Sequence, residues 1–300
     1  CYEMGKAFSL FLKYKDPLAI EARMQELDSF TARNYTAKSA FDIALHDIAA
    51  KAANKPLYAY LGGSVKKIVS DLTIGIDSPT NMAAQAIEFV QQNVATIKVK
   101  LGKDPATDIE RIKAIRTAIG NKTNIRIDAN QGWSYEDAII ALTELGKYNI
   151  EFCEQPMRTY NDELLPKLCI KSPIPLMADE SVYTHHDVER IIRNKACASI
   201  NIKFAKSGGI AEAIKINEVA EKNNTPCMMG GMLESRLALT AKVHFAMANT
   251  NIIYYDLDTC LLGHKITSKL ILFLPHHFFK VFRFSITLFS CCVSHLLNPQ

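Results

Sequence analysis

An α/β fold, with a parallel sheet curled into a closed barrel behind a small helical segment, follows from three features of the 300-residue chain. From Asp71 onward, short β-branched or apolar runs alternate with amphipathic stretches, the pattern of repeated β/α units. Eight such runs recur at similar spacing, which suits a ring better than an open doubly wound sheet. No Gly-x-Gly-x-x-Gly follows the first run, so the open dinucleotide-binding alternative lacks its phosphate loop.

Before the first run, PLAIEARMQELD and NYTAKSAFDIALHDIAAKAANKPLYAYLGG carry apolar residues at helical spacing over residues 17–61, and Gly62 and Gly63 end the pattern. The strands expected are 72–76, 96–100, 124–130, 150–154, 174–179, 199–203, 226–231 and 252–258. Helices are expected between them at 80–92, 106–119, 135–147 and 210–222. The domain reading is therefore a helical segment at 1–68, a barrel at 69–260 and a segment of different texture at 261–300.

Composition bounds the function. With 48% apolar residues the chain can bury one large core or two modest ones, which excludes disordered and fibrous classes. A net charge of +4, without a long basic run, leaves no electrostatic footprint for nucleic acid. The cysteines, Cys1, Cys153, Cys169, Cys197, Cys227, Cys260, Cys291 and Cys292, show neither Cys-x-x-Cys nor zinc spacing, and read as buried thiols of a reducing, cytoplasmic compartment. The chain opens on Cys1 without a basic and then apolar leader, so the expectation is a missing N-terminus and no signal peptide. The greasy stretch 266–296 is interrupted by Lys269, Pro275, His276, His277, Lys280 and Arg283. A spanning helix needs ~20 mostly uninterrupted apolar residues, so it reads as a displaced C-terminal segment, such as a shifted reading frame gives, and not as a membrane anchor.

Active sites of such barrels lie where strands end and the following loops begin. Here the second strand ends in Lys98 and Lys100, the third in Asp128 and Asn130, the fourth in Glu154, the fifth in Asp179 and Glu180, the sixth in Lys203 and the eighth in Asp256 and Asp258. One charge at a strand end is an ordinary solvated terminus; recurrence at one depth is not. Residues two apart share a strand face, so Lys98 with Lys100, Asp128 with Asn130, and Asp256 with Asp258 can each work as a pair. The third, fourth and fifth strands are neighbours, which lets Asp128, Glu154 and Asp179 converge. An all-oxygen set of this kind suits Mg²⁺ or Mn²⁺ and not zinc; a carboxylate cluster neutralised by lysines is the alternative.

Strands two and six are diametrically opposite in an eight-membered ring, so Lys100 and Lys203 bracket whatever binds between them. A lysine near ~10.4 is a poor base at neutral pH, and Lys98, as a neighbouring ammonium beside a cation, is expected to lower Lys100 toward ~7–8. Together these parts can deprotonate a carbon next to a carboxylate, because a divalent cation and an ammonium stabilise the doubly negative enediolate. One lysine removes the α-proton and the other returns one to the opposite face, as in an epimerase or racemase. A single productive lysine would give cycloisomerisation or dehydration instead.

The motifs TIKVK at 96–100, RIDANQGW at 126–133, EFCEQP at 151–156, ADES at 178–181, NIKFAKSGG at 201–209, GGMLES at 230–235 and YYDLD at 254–258 resemble the enolase superfamily. Within it the chain resembles the muconate-lactonising subgroup and its dipeptide epimerases, from about Asp16 to Asp258. The resemblance implies a (β/α)7β TIM-like barrel with a truncated α+β capping domain, of which residues 1–68 hold the helical remainder. It implies Asp128, Glu154 and Asp179 as Mg²⁺ ligands, Lys100 and Lys203 as the acid/base pair, and Lys98 as a support for the enediolate. It also gives Asp256 and Asp258 the substrate's free α-ammonium, and hence a dipeptide inverted at its C-terminal residue. A muconate cycloisomerase or o-succinylbenzoate synthase is the enzymatic alternative, and a truncated, non-catalytic relative is the other. Relatives in the family assemble as homo-oligomers. Partners are thus a small dipeptide and further copies of the chain, with neither nucleic acid nor membrane.

Other candidates carry less. Lys206 rivals Lys203, but strand parity favours Lys203. Trp133 and Gln131 read as core or lid packing, Glu234 and Arg236 as residues near the substrate, His185 and His186 as a solvated loop. Gly208 and Gly209 suit either an anion or a tight turn. The strand-rich N-terminal part of the cap and its C-terminal return segment have no counterpart in the sequence, so side-chain preference is not legible.

Overall fold

Eight parallel strands form one sheet in chain order in the computed structural model, which describes residues 1–261. The apolar segment set apart by the sequence lies outside the described residues from 262 onward. The strands are β1 (Leu72–Ile74), β2 (Thr96–Lys100), β3 (Asn124–Asp128), β4 (Ile150–Glu154), β5 (Leu176–Ala178), β6 (Ser199–Ile202), β7 (Cys227–Met229) and β8 (Ile252–Tyr255). The seam between β8 and β1 is bridged by the Asp71 N–H donating to the Tyr255 carbonyl at 3.2 Å and the Leu257 N–H donating to Ser70 Oγ at 2.8 Å.

Side-chain alternation gives this wall two different faces. Ile97, Val99, Ile125, Ile127, Leu176, Ala178, Ile200, Ile202 and Ile252 belong to the main core between strands and helices. The alternate residues face the lumen. There Phe152, Met177 and Met228 pack with Tyr254 as a separate apolar layer, and Lys98, Asp128, Glu154 and Asn201 are buried beside it. The guanidinium of Arg126 stacks on Phe152 and Tyr254 and donates to Asp71 Oδ2 at 2.9 Å and Glu151 Oε2 at 2.6 Å, so one cation ties three strands and the seam.

The barrel helices are α5 (Pro79–Gln91), α6 (Pro105–Ile119), α7 (Tyr135–Leu145), α8 (Leu165–Lys171), α9 (His185–Arg193), α10 (Phe204–Ser207), α11 (Ile210–Lys222) and α12 (Arg236–Ala248). Their starts are written locally. Ser78, Asp104, Ser134 and Ser235 each accept an N–H from three residues on, and proline opens α5 and α6. Helices α8, α9, α10 and α12 stand beside the four named from the sequence. His185 and His186 therefore open a helix and do not lie in a loop, and His185 is held by Glu212 at 2.7 Å. Several strands are also shorter than expected. The chain turns left-handed at Asn130, Gln131 and Gln155, which stops β3 and β4 at Asp128 and Glu154, and Lys203 caps α10 where a strand end was expected.

Ahead of the barrel lie α1 (Tyr2–Phe11), α2 (Ile20–Phe30), α3 (Tyr35–Ala52) and α4 (Leu57–Tyr60), with a small core of Phe8, Leu12, Leu27 and Ala37. Two of the contacts that fix them to the barrel stand out by their chemistry. Asp42 of α3 places Oδ2 against the N–H groups of Ile210 and Ala211, so the start of α11 is capped by the chain's own carboxylate. The anion that Gly208 and Gly209 suggest is thus Asp42. Gly209 has φ +130°, and a Cβ there would stand 2.3 Å from Asp42 Oδ2. On the other flank the Tyr58 N–H donates to Nδ1 of buried His244 at 3.0 Å, and the two rings stack.

Asp42→Ala should lower stability in urea denaturation by about 1–3 kcal/mol, since it strips a buried helix start of its acceptor. Burial lowers His244 to about 4, below the ~6.5 of an unfolded chain. Its contribution is therefore complete above pH ~6.5 and is lost as pH falls through about 4, at about 1.4 kcal/mol per pH unit in between. Denaturation at pH 7 and pH 5 should show His244→Gln losing less stability than the natural chain.

Candidate active site

The strand ends of β2 to β6 and β8 deliver four ammonium groups and four carboxylates to the mouth of the barrel. Lys98 Nζ lies among Glu154 Oε2 at 2.6 Å, Asp256 Oδ2 at 2.8 Å and Asp128 Oδ2 at 3.1 Å. Lys100 Nζ meets Asp128 Oδ2 at 2.6 Å and Asn130 Oδ1 at 3.0 Å. Across the ring, Lys203 Nζ is 2.6 Å from Asp179 Oδ2 and 3.8 Å from Glu154 Oε1. Lys206 takes the other oxygen of Asp179, at 2.5 Å, and also its main-chain carbonyl. Lys100 and Lys203 thus reach the acidic row from its two ends, with Glu154 between them.

Burial sets the electrostatics. Asp128, Glu154 and Asp179 are at most 1% exposed, so their charges persist only because they are paired. Burial pushes Glu154 up to about 7, with Asp128 adding to the effect. It acts the same way on Asp128 and Asp179, but Lys98 and Lys100 outweigh it at Asp128, and Lys206 and Lys203 at Asp179; both end below the usual carboxylate range. Burial would lower Lys98 and Lys203; the carboxylates around them win and hold both above the usual lysine range. Lys206 remains lowered by burial. Lys98 and Lys203 are raised because each Nζ is closest to carboxylate oxygens.

The eighth strand also differs from expectation. Asp256 belongs to the Lys98 network, and Lys98 offsets its burial and lowers it. Asp258 instead opens a 3-10 turn, Asp258–Leu261, and its Oδ2 accepts the Thr73 N–H at 2.7 Å, tying the end of β8 to β1. The two carboxylates thus have different protein partners, Lys98 and the Thr73 N–H. Trp133 is buried and donates to Asp108 Oδ2 at 3.0 Å, a core role, while Gln131 Oε1 accepts the Thr159 N–H. Glu234 pairs with Lys242 at 2.5 Å under the β7 loop.

The donor set fits a hard divalent cation. Asp128, Glu154 and Asp179 present only oxygen, sit on adjacent strands and already hold positive charge between them: Lys98 bridges Asp128 to Glu154, and Lys203 lies between Glu154 and Asp179. With the ammoniums in those places, no three acidic, histidine or cysteine side chains among the described residues are gathered as a metal cage.

Comparison with known families now bears on this geometry. Residues 81–271 match the enolase C-terminal domain-like family, and residues 10–62 match the mandelate racemase / muconate lactonizing enzyme N-terminal domain. The chain is a member of the enolase superfamily. Its similarity to the D-Ala-D/L-Ala epimerase of Cytophaga hutchinsonii is 47% identity over 79% of this chain and 64% of the relative. To the L-Ala-D/L-Glu epimerase of Clostridium acetobutylicum it is 43%, over 79% and 67%. The dipeptide epimerase of C. hutchinsonii crystallised with Mg and D-Ala-L-Val superposes with a TM-score of 0.86 at 44% identity, over 87% of this chain and 72% of that one. The chain thus spans about two thirds of the length of these curated relatives.

Sequence reasoning passed over two residues that shape this superfamily site. Gln155, buried at φ +35°, accepts the N–H groups of Asp179 and Ser181 at 2.9 and 3.2 Å, locking the end of β5 to that of β4. Asn201 donates to Glu154 Oε1 at 2.6 Å. Both stand in quoted motifs, EFCEQP and NIKFAKSGG; an amide next to, or two residues before, a charged residue is the signal they offered.

Replacing Lys98 by methionine should destabilise the metal-free protein by about 3–5 kcal/mol, because Asp128, Glu154 and Asp256 would be left one cation short. Urea denaturation in chelator-treated buffer measures this. The deficit relative to the natural chain should narrow as pH is lowered from 8 to 5, as Glu154 takes up a proton.

Proposed function

We propose that this chain is a Mg²⁺-dependent dipeptide epimerase that inverts the α-carbon of the C-terminal residue by a two-base proton transfer. The observation that carries the reading is the placement of Lys100 and Lys203 on β2 and at the end of β6, opposite in an eight-stranded ring, at the two ends of one buried acidic row. The names of the relatives described above, a D-Ala-D/L-Ala epimerase, an L-Ala-D/L-Glu epimerase and a dipeptide epimerase, support it.

Asp128, Glu154 and Asp179 would hold the cation. Bound there, it would supply positive charge at the substrate carboxylate, where a second negative charge develops as the α-proton leaves to give the enediolate. The residues do the rest. Lys100 takes or returns the proton on one face of the α-carbon, and Lys203 on the other; which one acts first depends on the stereoisomer bound. Lys98, enclosed by carboxylates and held protonated, is a fixed positive charge near the developing anion. Asp256 and Asp258 offer negative charge at the far side of the mouth for the dipeptide's ammonium, in the manner of a charge-assisted pair; Asp258 would have to share its carboxylate with the Thr73 N–H. Residues 1–68 are proposed as the helical part of a cap over this mouth; Cys153 and Cys227 are buried free thiols, in keeping with a reducing, cytoplasmic setting, whereas Cys1 is exposed and Cys169 and Cys197 are half-buried.

The test is deuterium uptake at the α-carbon of a dipeptide panel in D₂O with Mg²⁺, followed by NMR. Exchange should stop on chelation and return with Mg²⁺. Lys100→Ala and Lys203→Ala should each abolish exchange from one stereoisomer while sparing residual exchange from the other, with kcat reduced at least ~100-fold for the blocked direction. An absence of exchange across the panel from the full-length protein would refute the proposal.

A further inference from the structure

Asn201 stands on β6 two residues before Lys203, is 0% exposed, and reaches across the lumen to Glu154 on β4. Its amide nitrogen lies 2.6 Å from Glu154 Oε1. A carboxylate can only accept, so the amide must present its NH₂ there and turn its carbonyl oxygen away. That oxygen faces Gly230, where an added Cβ would sit 2.2 Å from it, and no donor among the described residues reaches it. A buried acceptor without a partner is a cost that an apolar side chain of the same volume would avoid. What offsets it is the bond to Glu154. The other Glu154 oxygen, Oε2, belongs to Lys98 at 2.6 Å, while Oε1 has Lys203 only at 3.8 Å. Asn201 is therefore the close neighbour of the oxygen on the Lys203 side.

We infer that Asn201 is a positioning residue: braced between Gly230 and Glu154, it fixes the rotation of the Glu154 carboxylate and so prepares that carboxylate to share a divalent cation with Asp128 and Asp179. It acts through Glu154. The inference rests on the cation site proposed above, and it assigns a role to an amide that is neither a ligand nor an acid or base.

Calorimetric titration of Mg²⁺ and of Mn²⁺ into the full chain without substrate tests it. Asn201→Leu and Gly230→Ala should each weaken binding by about 10–100-fold, with melting temperatures of the ion-free proteins within a few degrees of the natural chain. Gly230 has no left-handed φ, and the three atoms nearest an added Cβ all belong to the Asn201 amide. Hence the Asn201→Ala/Gly230→Ala double variant should bind no more weakly than Asn201→Ala alone, because the first change removes the atom the second would strike. If Asn201→Leu does not fold, Asn201→Ala is read against the same expectation. Natural-chain binding that is matched within twofold by the Asn201 variants overturns the positioning role alone. Failure of the natural chain to take up either ion overturns the cation site and this inference with it.

Discussion

Charge compensation inside a closed ring is the constraint from which the site follows. Eight parallel strands ending at one level bring Asp128, Glu154, Asp179 and Asp256 into a volume that excludes bulk water, where unpaired carboxylates cost several kcal/mol each. The lysines at the ends of β2 and β6 and in α10 are the answer that the chain itself supplies. Because each ammonium is shared, the row is a network: Lys98 serves three carboxylates, and Asp179 serves two lysines. A network of that kind has several nearby arrangements of charge, which is what a site needs if an incoming cation and substrate are to displace protein partners without leaving any charge alone.

The scaffold keeps this arrangement from collapsing. Outward-facing Ile, Val and Leu pin each strand to a helix, while the lumen below the charges is filled by Phe152, Met177, Met228 and Tyr254. Arg126 and Asp71 close the floor and the seam, and Asp258 ties the end of β8 to Thr73 above them. Fixed walls and a dry floor mean that the charged side chains adjust by rotation and not by strand movement. Gln155 and Asn201 then limit even that rotation, by claiming one edge of β5 and one oxygen of Glu154.

Among the contacts that join the helical segment to the barrel, two are unlike: a carboxylate at a helix start, Asp42 on α11, and a buried neutral imidazole, His244, under Tyr58. The first strengthens with charge, the second depends on its absence. A proton on the imidazole would break the second contact, so through His244 the attachment of this segment is sensitive to acid in a way that the barrel's apolar core is not.

The barrel, its eight strands and the row of charges at their ends were legible in the sequence, because strand parity and a repeating β/α period are local properties. So were the starts of α5, α6 and α7, which fall within a residue of those expected. Helix α9 was passed over although Val188, Ile191 and Ile192 stand at helical spacing, because the two histidines that open it read as a loop. What parity could not give is which charge meets which. That Lys206 shares Asp179 with Lys203, that Asp258 is spent partly on a backbone N–H, that Asp42 fills the anion place before α11 and that Lys98 and Lys203 are raised and not lowered all depend on residues 24 to 185 positions apart in the chain. Sequence alone thus determined the ring and the kinds of group at its mouth. Only the tertiary structure decided the pairings, because electrostatic and hydrogen-bond partners are chosen by distances across the barrel, which no local pattern encodes.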